Sequence, residues 1–350
     1  MTIRGDPVYA VTKAYGLRSY LLSPSALEEL AYVKNLGDFV DILRPTNYGP
    51  FLSQLQKPYT SAGVERALWK SLVDTHFRLI ETSLNPGLLQ QLFMRYIHFN
   101  IKTVLKSKAM GKSSEEILKN IDLYPETLLG IRDQTLKALN AKELSEFLAE
   151  YLETPLAATV KTALDIWNER RDFSAIDAMI DKTYLEGLYT AFKKTARAER
   201  KLLQFFMFIE IDVKALTTAL RAKFWGVTPN QVRNFLPSAM VTLETDFLSG
   251  LVEAEDVRKA LEKLPENEVF ARIRNETNFS KILFNLEESA KRYKLRWASQ
   301  SFYKTPFRQT VLVAYLVLKE NEVRNLATIA KYIEEGVSDV SVIRGSLTLP

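Results

Sequence analysis

Apolar residues recur at three- and four-residue intervals along six stretches: residues 64–82, 88–109, 135–152, 175–196, 198–224 and 308–333. That spacing gathers the apolar side chains into one stripe along a helix, so helices are expected there. Runs of strict alternation are few, and little or no β-sheet is expected. Pro45, Pro86, Pro125, Pro155, Pro237 and Pro265 fall at the junctions between helical stretches, where a ring without an N–H does no harm. No linker-like or low-complexity segment appears. The pattern predicts an all-α chain whose parts pack together instead of hanging on tethers.

Three of these stretches carry the same pattern. Residues 100–117, 215–232 and 325–342 align without gaps. A threonine recurs at Thr103, Thr218 and Thr328, and a cation at Lys106, Arg221 and Lys331. A glycine recurs at Gly111, Gly226 and Gly336, then a hydroxyl at Ser113, Thr228 and Ser338. Each copy closes on a β-branched residue, at Ile117, Val232 and Val342. The order reads as helix, stop, start, helix. Glycine ends a helix in the left-handed conformation without a Cβ penalty. The hydroxyl two residues on suits the N-cap of the next helix. Pro229 after Thr228 fits the first helical position, and Ser113 with Glu116 fits a capping box.

Upstream of each copy lies a similar stretch of short helices. The first holds Leu27, Leu30 and Leu36 and ends at Pro45-Thr46-Asn47-Tyr48. The second runs from Ala138 to Tyr151 and ends at Thr154-Pro155-Leu156; the third runs from Phe247 to Leu261 and ends at Leu264-Pro265-Glu266. The repeating unit is about 110 residues, well beyond the period of helical solenoids. It divides the 350 residues into helical repeats 1–122, 123–234 and 235–350.

Composition narrows the function. The 47% hydrophobic content is ample for more than one core. There is no cysteine, which excludes disulfides and thiolate chemistry and is compatible with an intracellular setting. The opening residues lack the apolar core of a signal peptide. The longest apolar runs, Phe205–Ile209 and Val311–Leu318, are far shorter than the roughly 20 residues that cross a bilayer. The net charge of +5 is modest for this length. The densest basic piece, Lys291–Arg296 beside Trp297, is weak support for a nucleic-acid-binding or helical adaptor role and reads better as a solvated helix face.

Catalytic signatures are lacking. His76 and His98 are the only histidines and neither has a partner at metal-ligand spacing. There is no Walker-type loop, no G-x-G-x-x-G and no G-x-S-x-G elbow. Glu210, Asp212, Glu320 and Glu322 interrupt apolar runs. As a pair in a cleft they would do acid–base work. The alternative is ion pairing with Lys214 or Arg324, and the equivalent placing of Asp212 and Glu322 in two copies favours architecture.

Glu320-Asn321-Glu322-Val323-Arg324-Asn325-Leu326, with Ile329-Ala330 and Gly336, resembles the last signature of the C/d subunit family of vacuolar and archaeal-type rotary ATPases. Glu210-Ile211-Asp212, Leu220-Arg221-Ala222-Lys223, Gly226 and Leu236-Pro237 resemble its middle signature, and Asn100-Ile101-Lys102 with Leu105, Lys108 and Gly111 its first. Departures include Ala215 where asparagine is frequent, Ile97 where aspartate is common, and Ser238 where glycine often follows the Leu-Pro pair. The resemblance implies three homologous helical domains around a pseudo-threefold axis, forming a funnel with a central cavity. It implies a non-catalytic rotor subunit without cofactor, metal or small-molecule substrate, lodged peripherally on the cytoplasmic face of a membrane. The stalk would enter the cavity and the narrow face would rest on the proteolipid ring. Asn100, Gly111, Asp212, Arg221, Gly226, Glu320, Glu322, Asn325 and Gly336 are then motif residues. Asn100, Asp212, Glu322 and Asn325 would either line a rim at helix ends or bond one repeat to another.

Overall fold

The computed structural model describes residues 7–151, 156–171 and 173–349. Residues 1–6, where a targeting signal would stand, and Thr154 and Pro155 lie outside them. Among the described residues twenty α-helices follow in order: α1 Pro7–Arg18, α2 Pro24–Leu30, α3 Leu36–Leu43, α4 Gly49–Leu52, α5 Ser61–Thr82, α6 Gly87–Ala109, α7 Ser114–Asn120, α8 Tyr124–Leu129, α9 Arg132–Asn140 and α10 Leu144–Ala149. Then come α11 Ala157–Arg170, α12 Phe173–Lys194, α13 Arg197–Phe208, α14 Lys214–Phe224, α15 Pro229–Phe235, α16 Thr245–Glu253, α17 Val257–Glu262, α18 Phe279–Lys304, α19 Thr310–Glu334 and α20 Val340–Ser346. A π-helical turn, Ile209–Val213, joins α13 to α14. No strand occurs among the described residues, and the chain is all-α as the periodicity predicts.

Five of the six periodic stretches appear as helix close to their expected bounds. The sixth, 135–152, is broken at Ala141 into α9 and α10. Glu143 and Glu146 form a capping box that opens α10, and a new N-terminus there ends the continuous helix.

The chain forms two compact units, Met1–Leu89 with Arg292–Pro350, and Gln90–Lys291. Positions 122 and 234 both fall inside the second. In the first unit α5 packs along α19, flanked by α1, α2 and α3. The two run antiparallel, because the Ser61 N–H at the start of α5 bonds the Glu334 carboxylate at the end of α19, at 3.0 Å. Val311–Leu318 of α19 is buried on every side, which suits a helix enclosed by neighbours. Tyr15 on α1 donates to the Phe302 carbonyl at 2.7 Å and meets that ring edge-on.

In the second unit Ile97, Ile101, Val104 and Leu105 of α6 share a core with Ile117, Phe147, Leu148, Ile176 and Ile180. α12 packs on α11, α13 and α15, and α16 packs on α14 and α15. Gly187 lets α12 come close to α6: a Cβ there would lie 2.5 Å from Gln91 Nε2.

Candidate functional site

The repeated pattern forms one structural device three times. At the end of α6, α14 and α19 the backbone turns through Gly111, Gly226 and Gly336, with φ of 72°, 69° and 69°. In each, the glycine N–H and the next N–H return to the last turn. Gly111 donates to Lys108 and Lys112 to Ser107; Gly226 to Lys223 and Val227 to Ala222; Gly336 to Ile333 and Val337 to Tyr332. These paired bonds are a Schellman closure, which satisfies carbonyls that the helix leaves free. Ser113 then caps α7 in a capping box with Glu116, and Gln231 accepts from Thr228 in the second copy. The third copy departs from expectation. Ser338 does not cap α20; Asp339 does, accepting from the Ser341 N–H at 2.9 Å. An aspartate next in line serves the same free N–H with a charged oxygen, so the hydroxyl is displaced.

About three to four turns earlier on the same helices sit the buried polar residues. Asn100 on α6 donates to the Asp122 carbonyl at 2.8 Å and to the Glu126 carboxylate at 2.9 Å. Asn325 on α19 donates to the Thr348 carbonyl at 2.9 Å and accepts its N–H at 3.1 Å, and Asn321 adds a bond to the same carbonyl. Each asparagine thus holds the backbone that follows the short helix after the glycine. Ala215 takes this position in the middle copy and has no side-chain group to make such a bond.

The carboxylates do the complementary task. Asp212 lies on the π-helical turn, fully buried. Its oxygens accept the N–H groups of Val241, Thr242 and Leu243 at 2.7, 2.6 and 2.7 Å, just before α16. Burial pushes its carboxyl above the usual aspartate value, and the three N–H bonds pull it back. Glu322 accepts the Leu22 N–H at 2.5 Å, just before α2, and the Tyr48 hydroxyl at 2.5 Å. Ile97 stands in this place in the first copy and offers no polar atom to anchor with. Two residues outside the motif positions complete the anchor of the third copy. Lys319 is buried, 3.2 Å from Glu322 and with Nζ 3.6 Å from the centre of the Tyr48 ring. Burial lowers its ammonium and the Glu322 charge raises it again; burial drives the Tyr48 hydroxyl up. The signal for Lys319 is its place directly after the apolar run Val311–Leu318 and three residues before Glu322. Tyr48 carries no such signal.

The other motif residues lie apart from these anchors. Glu210 pairs with Lys214 at 2.6 Å and Glu320 with Arg324 at 2.7 Å, each one helical turn apart, as the ion-pair reading expects. Arg221 pairs with Glu287 at 2.7 Å, Lys106 with Asp177 at 3.1 Å and Lys331 with Glu335 at 3.8 Å. Thr103, Thr218 and Thr328 each return a hydroxyl bond to the carbonyl four residues back. His76 bonds the Leu89 carbonyl at 2.9 Å, and buried His98 packs edge-on against Tyr184. Lys291–Arg296 lies within α18, with Arg296 stacked over Tyr293. Among the described residues no group of three or more acids and histidines is placed to hold a metal. No described helix is long and apolar enough to cross a membrane. Asp212, Glu322 and Glu126 accept from backbone and side-chain donors, so the arrangement fixes segments in place.

A family model described as ATP synthase (C/AC39) subunit matches residues 10–343. The C subunit of the A-type ATP synthase of Pyrococcus abyssi is 28% identical over 336 residues, covering 94% of this chain and 87% of that protein. Its counterpart in Methanosphaera stadtmanae is 24% identical over 319 residues, covering 89% and 80%. That of Methanosarcina acetivorans is 24% identical over 339 residues, covering 95% and 91%.

Proposed function

Since the chain belongs to the ATP synthase (C/AC39) subunit family, non-catalytic members of a rotary complex, we propose that it is the rotor piece between the central stalk and the membrane proteolipid ring. In this reading the repeats 1–122, 123–234 and 235–350 close around a pseudo-threefold axis into a funnel. The stalk seats in the cavity, the narrow face rests on the ring, and the protein passes torque during proton or sodium transport. It sits peripherally at the cytoplasmic face.

The observation that carries the reading is the anchor at Glu322. Asp212 holds the backbone before α16, at the start of the following repeat. Glu322 stands at the equivalent position of the third repeat. It takes the Leu22 N–H before α2, at the start of the first. The same contact thus runs from the third repeat to the first, which supports closure of three units on themselves. Stiffness supports the same reading. Close-packed helices deform little, and a torque coupler needs that more than chemistry. The test is co-sedimentation of the purified chain with a solubilised proteolipid ring and with stalk proteins. The proposal expects a ternary complex in which ring and stalk associate only when the chain is present. Retention by neither would refute it.

A further inference from the structure

Where α12 ends and α13 begins, Lys193, Arg197, Arg200 and Lys201 line a single concavity of about 270 Å³, with Tyr189 and Phe192 in its wall. No acidic side chain lines it. Among the described residues none of the four cations meets a carboxylate, whereas Lys102, Lys106, Lys214 and Arg221 in the same unit are all paired. Lys193 rests against the Tyr189 ring, with Nζ 5.5 Å from its centre, which keeps the ammonium at the rim.

The placing gathers four like charges around one helix junction. Arg197 and Arg200 sit in and beside the first turn of α13, the positive end of that helix dipole. Ala196 provides no side-chain cap, and Glu199 is the acid in the first turn of α13, outside the lining of the concavity.

We propose that this concavity is an anion site that takes a phosphate group. A lone carboxylate would balance one of four charges, while a phosphate brings about two charges and three acceptor oxygens into the same space. Two arginine forks match phosphate oxygens in pairs, and the two ammonium groups close the sides. The phosphate belongs either to a soluble phosphorylated molecule or to the headgroup of an anionic lipid. The site is independent of the rotor reading and stands or falls without it.

The test uses the full chain at low salt with two probes, inorganic pyrophosphate by calorimetry and phosphatidylglycerol vesicles by flotation. Binding of pyrophosphate supports a soluble ligand; binding of vesicles without a pyrophosphate response supports the headgroup. In either case the Arg197→Gln/Arg200→Gln variant binds about tenfold or more weakly. Lys259→Gln, an exposed cation elsewhere in the unit, leaves binding unchanged. Lys193→Gln gives a smaller loss, and added salt weakens binding throughout. No binding to either probe overturns the proposal, as does equal binding by the double variant. Capture of poly-glutamate with no response to either phosphate probe also overturns it, since it would assign the patch to an acidic protein segment.

Discussion

Replacing Asp212 with asparagine tests the anchors most severely. The carboxylate accepts three backbone N–H groups at 2.6–2.7 Å in a fully buried site. Bonds to a charged acceptor contribute roughly 1.5–3 kcal/mol each. Asparagine with its oxygen at the Oδ2 position keeps the Thr242 and Leu243 N–H groups as weaker neutral bonds and turns an NH2 toward Val241, whose bond is lost. That is a loss of roughly 3–6 kcal/mol, reduced by about 1–2 kcal/mol because a charge is no longer buried. A net destabilisation of about 2–4 kcal/mol is expected in urea unfolding. Hydrogen exchange should show faster opening at the amides of Val241, Thr242 and Leu243 before any change elsewhere. Arg221→Gln is the control, because both partners of its ion pair are half exposed and the expected change is below about 1 kcal/mol. A change under about 1 kcal/mol for Asp212→Asn, with those amides still protected, would refute the anchor reasoning.

Lys319→Met alone leaves a buried carboxylate without its cation and should cost about 3–5 kcal/mol, whereas Lys319→Met with Glu322→Gln costs less than the sum, as a double-mutant cycle in urea would read. Gly226→Ala should cost about 1 kcal/mol, because its φ is 69° and nothing lies within 4 Å of the added Cβ, so the effect is all backbone. Two buried groups titrate against each other. Burial holds His98 at about 4, below the usual 6.5, so its contribution is present above pH 6.5 and is lost as pH falls toward 4. Burial raises Glu126 to about 7 from 4.5, so its contribution is present below pH 4.5 and is lost as pH rises to 7. Each is worth about 3 kcal/mol across its window, so the two nearly cancel between pH 4.5 and 6.5. His98→Phe should therefore gain stability as pH falls through that range and Glu126→Gln should lose it; flat profiles in both variants would contradict the assignment.

Local chemistry is legible in the sequence, and its partners across space are not. Gly111, Gly226 and Gly336 announce helix ends because a left-handed residue is a local demand. The pairs Glu210–Lys214 and Glu320–Arg324 follow from four-residue spacing alone. Asp212 and Glu322 stand out as acids in apolar runs, but a periodic pattern does not say what they hold. Their backbone donors lie 29–31 and 300 residues away. The π-helical turn beneath Asp212 leaves the apolar spacing nearly intact and so gives no signal. The N-cap of α20 falls one residue beyond the expected hydroxyl because Ser338 and Asp339 are both competent caps, and only geometry chooses between them. The unit built from the described residues 7–89 and 292–349 joins segments about 200 residues apart in sequence, which no reading of composition or period along the chain can anticipate.

The claim that a chain of anchored, inert helices links rotation between stalk and membrane is tested most directly by coupled ion pumping. Complexes stripped of this protein and embedded in vesicles should hydrolyse ATP without building an ion gradient, and adding the purified chain back should restore the gradient. A gradient of full size in its absence would contradict the account.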